Sequence, residues 1–241
     1  MSKLDVTLAR REQIASSTWA FTLDLARQEF SFRAGQTIDL TFPDPPYQDA
    51  SGNRRTFSLA AAPGRDHLLV ATRVRGSAFK RSLVEAPPGT RLEIEGPFGS
   101  FTLPQRATSV VMLAGGIGIT PFRAIAEDAI GRRLAHSLLL IHSNRTPGEA
   151  PFLEELQQWS RSHPHFVYRP TMTQSAGSAN PWAGERRRVG PELLADLLPA
   201  DRIRPLYYVA GPERFVKGVV EALASVNVDE DRIRFEEFPG Y

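Results

Sequence analysis

Residues Ser109 to Pro121 constrain the fold of this chain more than any other stretch. Val110 to Ala114 form an unbroken apolar run of the kind that a strand buried on both faces requires. Gly115, Gly116 and Gly118 end the run, and a helical pattern follows from Phe122 to Ile130. Thr120 is expected to cap that helix by accepting a backbone N–H, and Pro121 suits a first turn whose N–H would lack a partner. A buried strand, a glycine turn and a helix N-terminus together make an anion site, with backbone amides and the helix dipole facing it. Glycine there lets a pyrophosphate approach the backbone. The same grammar also occurs in plain α/β connections, and Pro121 stands where the dinucleotide fingerprint has its third glycine.

The next apolar run, His136 to Ile141, follows at βαβ spacing and leads into His142, Ser143, Asn144, Arg145 and Thr146. No carboxylate stands there to take a ribose 2′-hydroxyl. Ser143 and Arg145 are compatible with a 2′-phosphate instead, which favours NADPH over NADH. Arg145 as a solvated loop charge is the alternative.

At 241 residues the chain has room for one large domain or two modest ones. Its net charge is only +2 and no basic stripe stands out, which disfavours a nucleic-acid role. No apolar run approaches ~18 residues, so no membrane span is expected. Asp5, Arg10 and Arg11 interrupt the start of the chain, which reads as lacking a secretory signal, and a cytoplasmic location is the default. The absence of cysteine excludes disulfides, thiolate nucleophiles and cysteine-held iron–sulfur clusters. The five histidines show no metal-ligand spacing, so no metal site is expected.

Two grammars divide the chain. Residues 1–104 alternate on a short period in β-rich runs around Val6 and Leu8, Ala20 to Leu23, Gln36–Phe42, Thr56–Ala61, Leu68–Val74 and Arg91–Ile94. Proline, glycine and asparagine clusters separate them. Six strands with one short helix, Ser77–Glu85, predict a small antiparallel barrel. Residues 105–241 alternate strands (109–114, 136–142, 165–171, 206–210 and 232–236) with helices near 121–130, 151–161, 191–198 and 212–224. That pattern predicts a parallel sheet with helices on both faces. The boundary is expected near Leu103, Pro104 and Gln105, and Thr173–Gly190 is the longest loop.

Within the barrel, Arg55, Thr56, Phe57 and Ser58 open a strand, and Thr72 to Lys80 place a glycine turn at a helix start with a lysine in the first turn. That lysine opposes the helix dipole unless an anion lies between them. Glu95 to Gly99 then set two glycines around Pro97 and Phe98, and Val209, Ala210, Gly211, Pro212 and Glu213 close the series.

In this order the motifs resemble the ferredoxin–NADP reductase superfamily over nearly the whole chain. The resemblance implies an FAD-binding barrel at 1–104 and an NAD(P)-binding α/β domain at 105–241. Arg55 would neutralise an FAD phosphate, with Thr56 beside it, Phe57 would lie against the flavin, and the Ser58 hydroxyl would approach flavin N5. Relatives usually carry Tyr at Phe57, and a Ser where this chain has Phe79. The second phosphate is therefore assigned to amides of Ser77, Ala78 and Phe79, with Lys80 as counter-charge and Arg73 and Val74 in the same cofactor-binding turn. Gly116, Gly118, Thr120 and Pro121 would border the nicotinamide dinucleotide, as would Gly211 and Pro212; relatives often have Cys at Ala210. Glu236 and Phe238 match the closing strand, and Tyr241 matches a terminal aromatic that covers the flavin in some relatives. Ser58, Thr120 and Glu236 are the expected catalytic set.

The implied reaction passes hydride from NAD(P)H to FAD and then electrons to a separate acceptor: a ferredoxin, a flavodoxin or an oxygenase component. Two alternatives stay open, an NAD(P)H-dependent flavin or ferric-chelate reductase and a non-catalytic electron-transfer subunit of a larger complex. Arg186 to Arg188 would face an acidic partner, or only solvent.

Overall fold

A computed structural model describes residues 2–175, 181–201 and 204–238. The first half forms six strands: β1 (Ser2–Ala15), β2 (Thr18–Asp24), β3 (Thr37–Thr41), β4 (Arg54–Ser58), β5 (His67–Arg73) and β6 (Arg91–Phe98). They pair antiparallel in the order β4-β3-β6-β1-β2-β5. A bridge between Leu59 and Val70 joins the two edges, and the Ala60 N–H donates to the Leu69 carbonyl at 2.7 Å. The sheet is thereby closed as the alternation predicted, which removes free edges. Inward residues such as Leu8, Phe21, Ile38 and Leu92 fill it, and helix α1 (Ala78–Glu85) plugs the core with Phe79 and Leu83. β1 is longer than the alternation implied, because register shifts after Leu8 and Gln13 carry it through polar residues to Ala15.

The second half supplies β7 (Ser109–Gly115), α2 (Ile119–Gly131), β8 (Ser137–Asn144), α3 (Leu153–Ser162), β9 (Phe166–Met172), α4 (Pro191–Leu197), β10 (Leu206–Gly211), α5 (Glu213–Ser225) and β11 (Ile233–Glu237). The strands are parallel in the order β11-β10-β7-β8-β9. α2 and α3 cover one face through Phe122, Ile125 and Leu156; α4 and α5 cover the other through Leu194, Val216 and Val219. Burial on both faces explains why β7 reads as a continuous apolar run. Ala34 and Phe101, both from the first 104 residues, pack into the core of this second sheet, so the halves share apolar contact. Among the described residues no helix is long and apolar enough to cross a membrane.

One local expectation is corrected. Thr120 does not cap α2. A 3-10 turn at Gly116–Gly118 precedes the helix, and Gly118 occupies the cap position without a side-chain bond. The Ile119 N–H donates back to the Gly116 and Ile117 carbonyls, so this amide is taken by the turn itself. Thr120 sits inside the first turn, where its hydroxyl donates to the Ile117 carbonyl at 3.1 Å. Extra turns of this kind satisfy helix-end groups without a side-chain cap.

Candidate functional site

A cavity of about 910 Å³ lies between the barrel and the C-terminal ends of the parallel strands, and both halves line it. Its volume is within the usual range of ligand sites, ~300–1,000 Å³. The position follows from topology, since parallel sheets open their crevices where strands end and helices begin.

One end is cationic. Arg55, near the start of β4, donates to the carbonyls of Ser51 (2.8 Å), Gly52 (3.0 Å) and Arg54 (2.7 Å), and its guanidinium lies 5.3 Å from the Phe79 ring centroid. Lys80, in the first turn of α1, is 8% exposed and donates to the Arg73 carbonyl at 3.1 Å. Burial first, and the Arg55 charge second, push its ammonium down to about 8. Two cations held together in a partly desolvated wall are a cost that an anion would relieve.

The amides assigned to that anion are partly committed. The Ala78 N–H donates to Asp49 at 2.8 Å, holding this carboxyl below its ordinary range, and the Ser77 N–H donates to the Arg75 carbonyl at 2.6 Å. Asp49 lies 3.5 Å from Arg55, so a carboxylate already faces both the helix end and the guanidinium. Phe79 is buried in the barrel core, stacked on Phe57 with centroids 6.1 Å apart. Sequence reasoning missed Asp49, because it lies in a turn cluster with no motif of its own.

The other end brings Ser58 and Phe57 from β4 against Thr120 and Ile117 of the glycine turn and Glu236 and Phe238 of the closing strand. Ser58 is 7% exposed. Burial pushes the Glu236 carboxyl up to about 7, and its Oε2 atom is buried with no hydrogen-bond partner among the described residues. The Phe238 N–H donates to the Gly211 carbonyl at 2.9 Å, which ties the last residues of the closing segment to the turn at Gly211 and Pro212.

Other expected residues stand apart from the cavity wall. Arg73 turns away to pair with Glu149 at 2.7 Å, and the Val74 N–H donates to the Ser17 carbonyl. Gly116, Gly118, Pro121, Gly211 and Pro212 lie at the adjoining strand ends, with Ser143 half-buried and Arg145 exposed beyond β8. Tyr241 lies outside the described residues. His142 was read only as a non-ligand, yet it is fully buried beneath the glycine turn. Burial pushes its imidazole down to about 4, so Nε2–H donates to the Gly116 carbonyl and Nδ1 accepts from the Tyr168 hydroxyl, each at 2.9 Å.

Residues 112–221 match the family described as the oxidoreductase NAD-binding domain. The chain is 29% identical over 217 residues to ferredoxin–NADP reductase B of Sorangium cellulosum (strain So ce56), covering 87% of this chain and 86% of that protein. It is 30% identical over 214 residues to a flavohemoprotein of Burkholderia sp. (strain TH2), covering 86% of this chain and 51% of that one. The chain thus spans about half the length of the flavohemoprotein. The FAD/NAD-binding domain of nitric oxide dioxygenase from Vibrio cholerae O1 biovar El Tor shares the fold, with a TM-score of 0.83 at 20% identity over 98% of both chains. The matched family and these relatives support the ferredoxin–NADP reductase-like superfamily.

The carboxyl of Glu236 has a measurable consequence. In the fold it keeps its proton up to about pH 7, whereas the unfolded chain releases it near 4.5. Stability from this group is therefore full below pH 4.5 and lost as pH rises to 7. Glu236→Gln is expected to match the parent at pH 4.5 and to be up to about 3 kcal/mol more stable at pH 8. Urea unfolding at both pH values measures the difference; parallel losses would show that Glu236 is already ionised in the fold.

Proposed function

We propose that the chain is an NAD(P)H-dependent flavoprotein reductase, with residues 1–104 holding FAD and 105–241 receiving the nicotinamide dinucleotide. The observation that carries this is the single cavity with Arg55 and Lys80 at one end and Ser58, Thr120 and Glu236 at the other. The donor set fits the group: a desolvated cation pair suits a diphosphate, and hydroxyl and carboxyl groups beside Phe57 and Phe238 suit a planar ring with polar edges. FAD bound there would supply the redox chemistry, accepting hydride from NAD(P)H and releasing electrons singly.

The chain's own residues bind and orient. Arg55 and Lys80 neutralise phosphate charge, with Asp49 yielding the Ala78 amide, and Phe57 supplies packing without the hydroxyl that Tyr would bring. Ser58 offers its hydroxyl to the ring edge, and Thr120 shapes the nicotinamide side. Glu236 holds a proton at its carboxyl below about pH 7. Gly116 and Gly211 leave backbone exposed to the second dinucleotide, and Ser143 with Arg145 favours NADPH over NADH.

The acceptor is a separate redox protein of the ferredoxin, flavodoxin or oxygenase-component kind. The likeness to the Sorangium ferredoxin–NADP reductase supports this reading, and these 241 residues, without cysteine, cannot themselves hold a cysteine-ligated cluster. A cytoplasmic location belongs to the same reading.

The deciding experiment is the visible spectrum of protein reconstituted with FAD, followed by anaerobic stopped-flow bleaching with NADPH and NADH. Flavin absorbance that bleaches faster with NADPH is expected; failure to retain FAD would overturn the assignment. Turnover with an acidic ferredoxin should fall as salt rises. Salt-insensitive turnover with ferric chelates alone would favour the small-acceptor reading.

A further inference from the structure

We propose that Arg123 is a positioning residue that sets how the two halves of the cavity face each other. It rests on the reading above in one respect, that the chemistry takes place between those halves. Arg123 is on α2, three residues after Thr120, about one helical turn and ~4.5 Å of rise away. It is 8% exposed, unusual burial for a cation, and every direction of its guanidinium is used.

Nη1 donates to the carbonyl of Ala60 at 2.5 Å, and Nε and Nη2 make a fork with Glu155 of α3 at 2.8 and 2.7 Å. Glu127, one turn further along α2, lies 3.4 Å from Nη1. The rings of Phe152 and Trp159 lie 5.0 and 5.3 Å from the guanidinium carbon. Glu127 then crosses the seam itself: its Oε2 accepts the Ala62 N–H at 2.6 Å, and its other oxygen pairs with Arg65.

Ala60 and Ala62 follow Ser58 in the chain, two and four residues on, just past the end of β4. The segment that carries Ser58 is therefore bolted, through backbone atoms, to the helix that carries Thr120. A backbone carbonyl and a backbone amide cannot re-aim as side chains do, so the Arg123–Glu127 pair fixes the register of one cavity wall against the other. Other polar ties between the halves include Arg73 with Glu149 at 2.7 Å, the Ser16 N–H to the Gly148 carbonyl, and the Tyr208 hydroxyl to the Thr102 carbonyl at 2.9 Å. These reach β10 or the connection after β8 rather than α2. A reaction that depends on two rings meeting at ~3–3.5 Å is sensitive to such a register, since a displacement of ~1 Å can cost about 10²-fold.

The test uses Arg123→Lys and Arg123→Gln in the full chain. Lys keeps the charge, but its single ammonium cannot make the Glu155 fork and reach Ala60 together. Gln removes the charge and, two bonds shorter, cannot reach the Ala60 carbonyl. Single-turnover reduction by NADPH should slow by about tenfold or more in Arg123→Lys, with FAD and NADPH Kd within about threefold of the parent. Arg123→Gln should lose at least as much as Arg123→Lys. The readout independent of cofactor is geometric. Because the chain has no cysteine, spin labels at Arg10→Cys and Lys217→Cys, both exposed, report the distance between the halves. That distance distribution should broaden or shift in Arg123→Lys. An unchanged distribution with a hydride-transfer rate within twofold of the parent overturns the proposal, as does a loss confined to melting temperature. Should the parent fail to retain FAD, the flavoprotein reading falls, while the spin-label distances still decide whether Arg123 sets the register.

Discussion

Lys80→Met will weaken FAD binding by about 10²-fold while leaving the apoprotein at least as stable as the parent. The two effects have opposite signs because they come from the same desolvated charge. Without an anion, the fold holds an ammonium that is 8% exposed and pushed down to about 8, below its ordinary 10.5. The unfolded chain binds that proton more tightly. The penalty is therefore complete below about pH 8 and vanishes above 10.5, so this group's contribution to stability is lost as pH falls. Met fills a similar volume without the charge, at the cost of the bond to the Arg73 carbonyl, ~1 kcal/mol. The penalty relieved exceeds the bond lost, so the net change in the apoprotein is expected to be zero or favourable. With a diphosphate present, the same cation makes a charge-assisted bond worth ~1.5–3 kcal/mol, or about 10- to 150-fold in affinity. Flavin fluorescence titration and urea unfolding of the apoprotein read the two quantities separately. A destabilised apoprotein with unchanged FAD affinity would make Lys80 a structural residue and remove the phosphate assignment at this end.

Gly118→Ala is expected to destabilise the fold by about 3 kcal/mol, and Gly116→Ala by only ~1–2 kcal/mol. The two glycines sit two residues apart in one motif but serve different physics. A Cβ on Gly118 would lie 2.2 Å from the Ala210 oxygen and 2.7 Å from the Gly211 nitrogen, backbone atoms of β10 that cannot swing aside. α2 would have to lift from the sheet, disturbing Phe122 and Ile125 in the core below. A Cβ on Gly116 meets nothing within 4 Å; its cost is the φ of +53°. For a chain of this length 3 kcal/mol is roughly 6–12 °C in Tm. Gly116→Ala should keep most of its stability but raise the KM for NADPH, because its open side is where a pyrophosphate would approach. Equal thermal losses in both variants would contradict this division of roles.

Much of the architecture was legible because burial leaves a periodic trace. Val110 to Ala114 read as a strand buried on both faces, and that is where β7 lies. The short helix after Gly76 was placed within one residue, since Ser77 provides the cap. Thr120 shows where such reading stops. A threonine before an apolar helical run has the composition of a cap, but the 3-10 turn had already satisfied the helix start. The Ala78 amide shows a related limit: whether its N–H is free depends on Asp49, 29 residues away, and no local pattern records that contact.

The order of strands and helices was determined by the sequence alone, through short-range periodicity, while Arg55, Ser58, Thr120 and Glu236 became candidates only through the resemblance that the motif order carries. Tertiary structure alone decided which of those residues share a cavity, that Glu236 is pushed up to about 7 and Lys80 down to about 8, and that Arg123 ties Ala60 to α2. Periodicity depends on neighbours three or four residues apart. Desolvation and charge pairing depend on groups brought together across the seam, some more than 60 residues apart in the chain, and only the folded packing sets those distances.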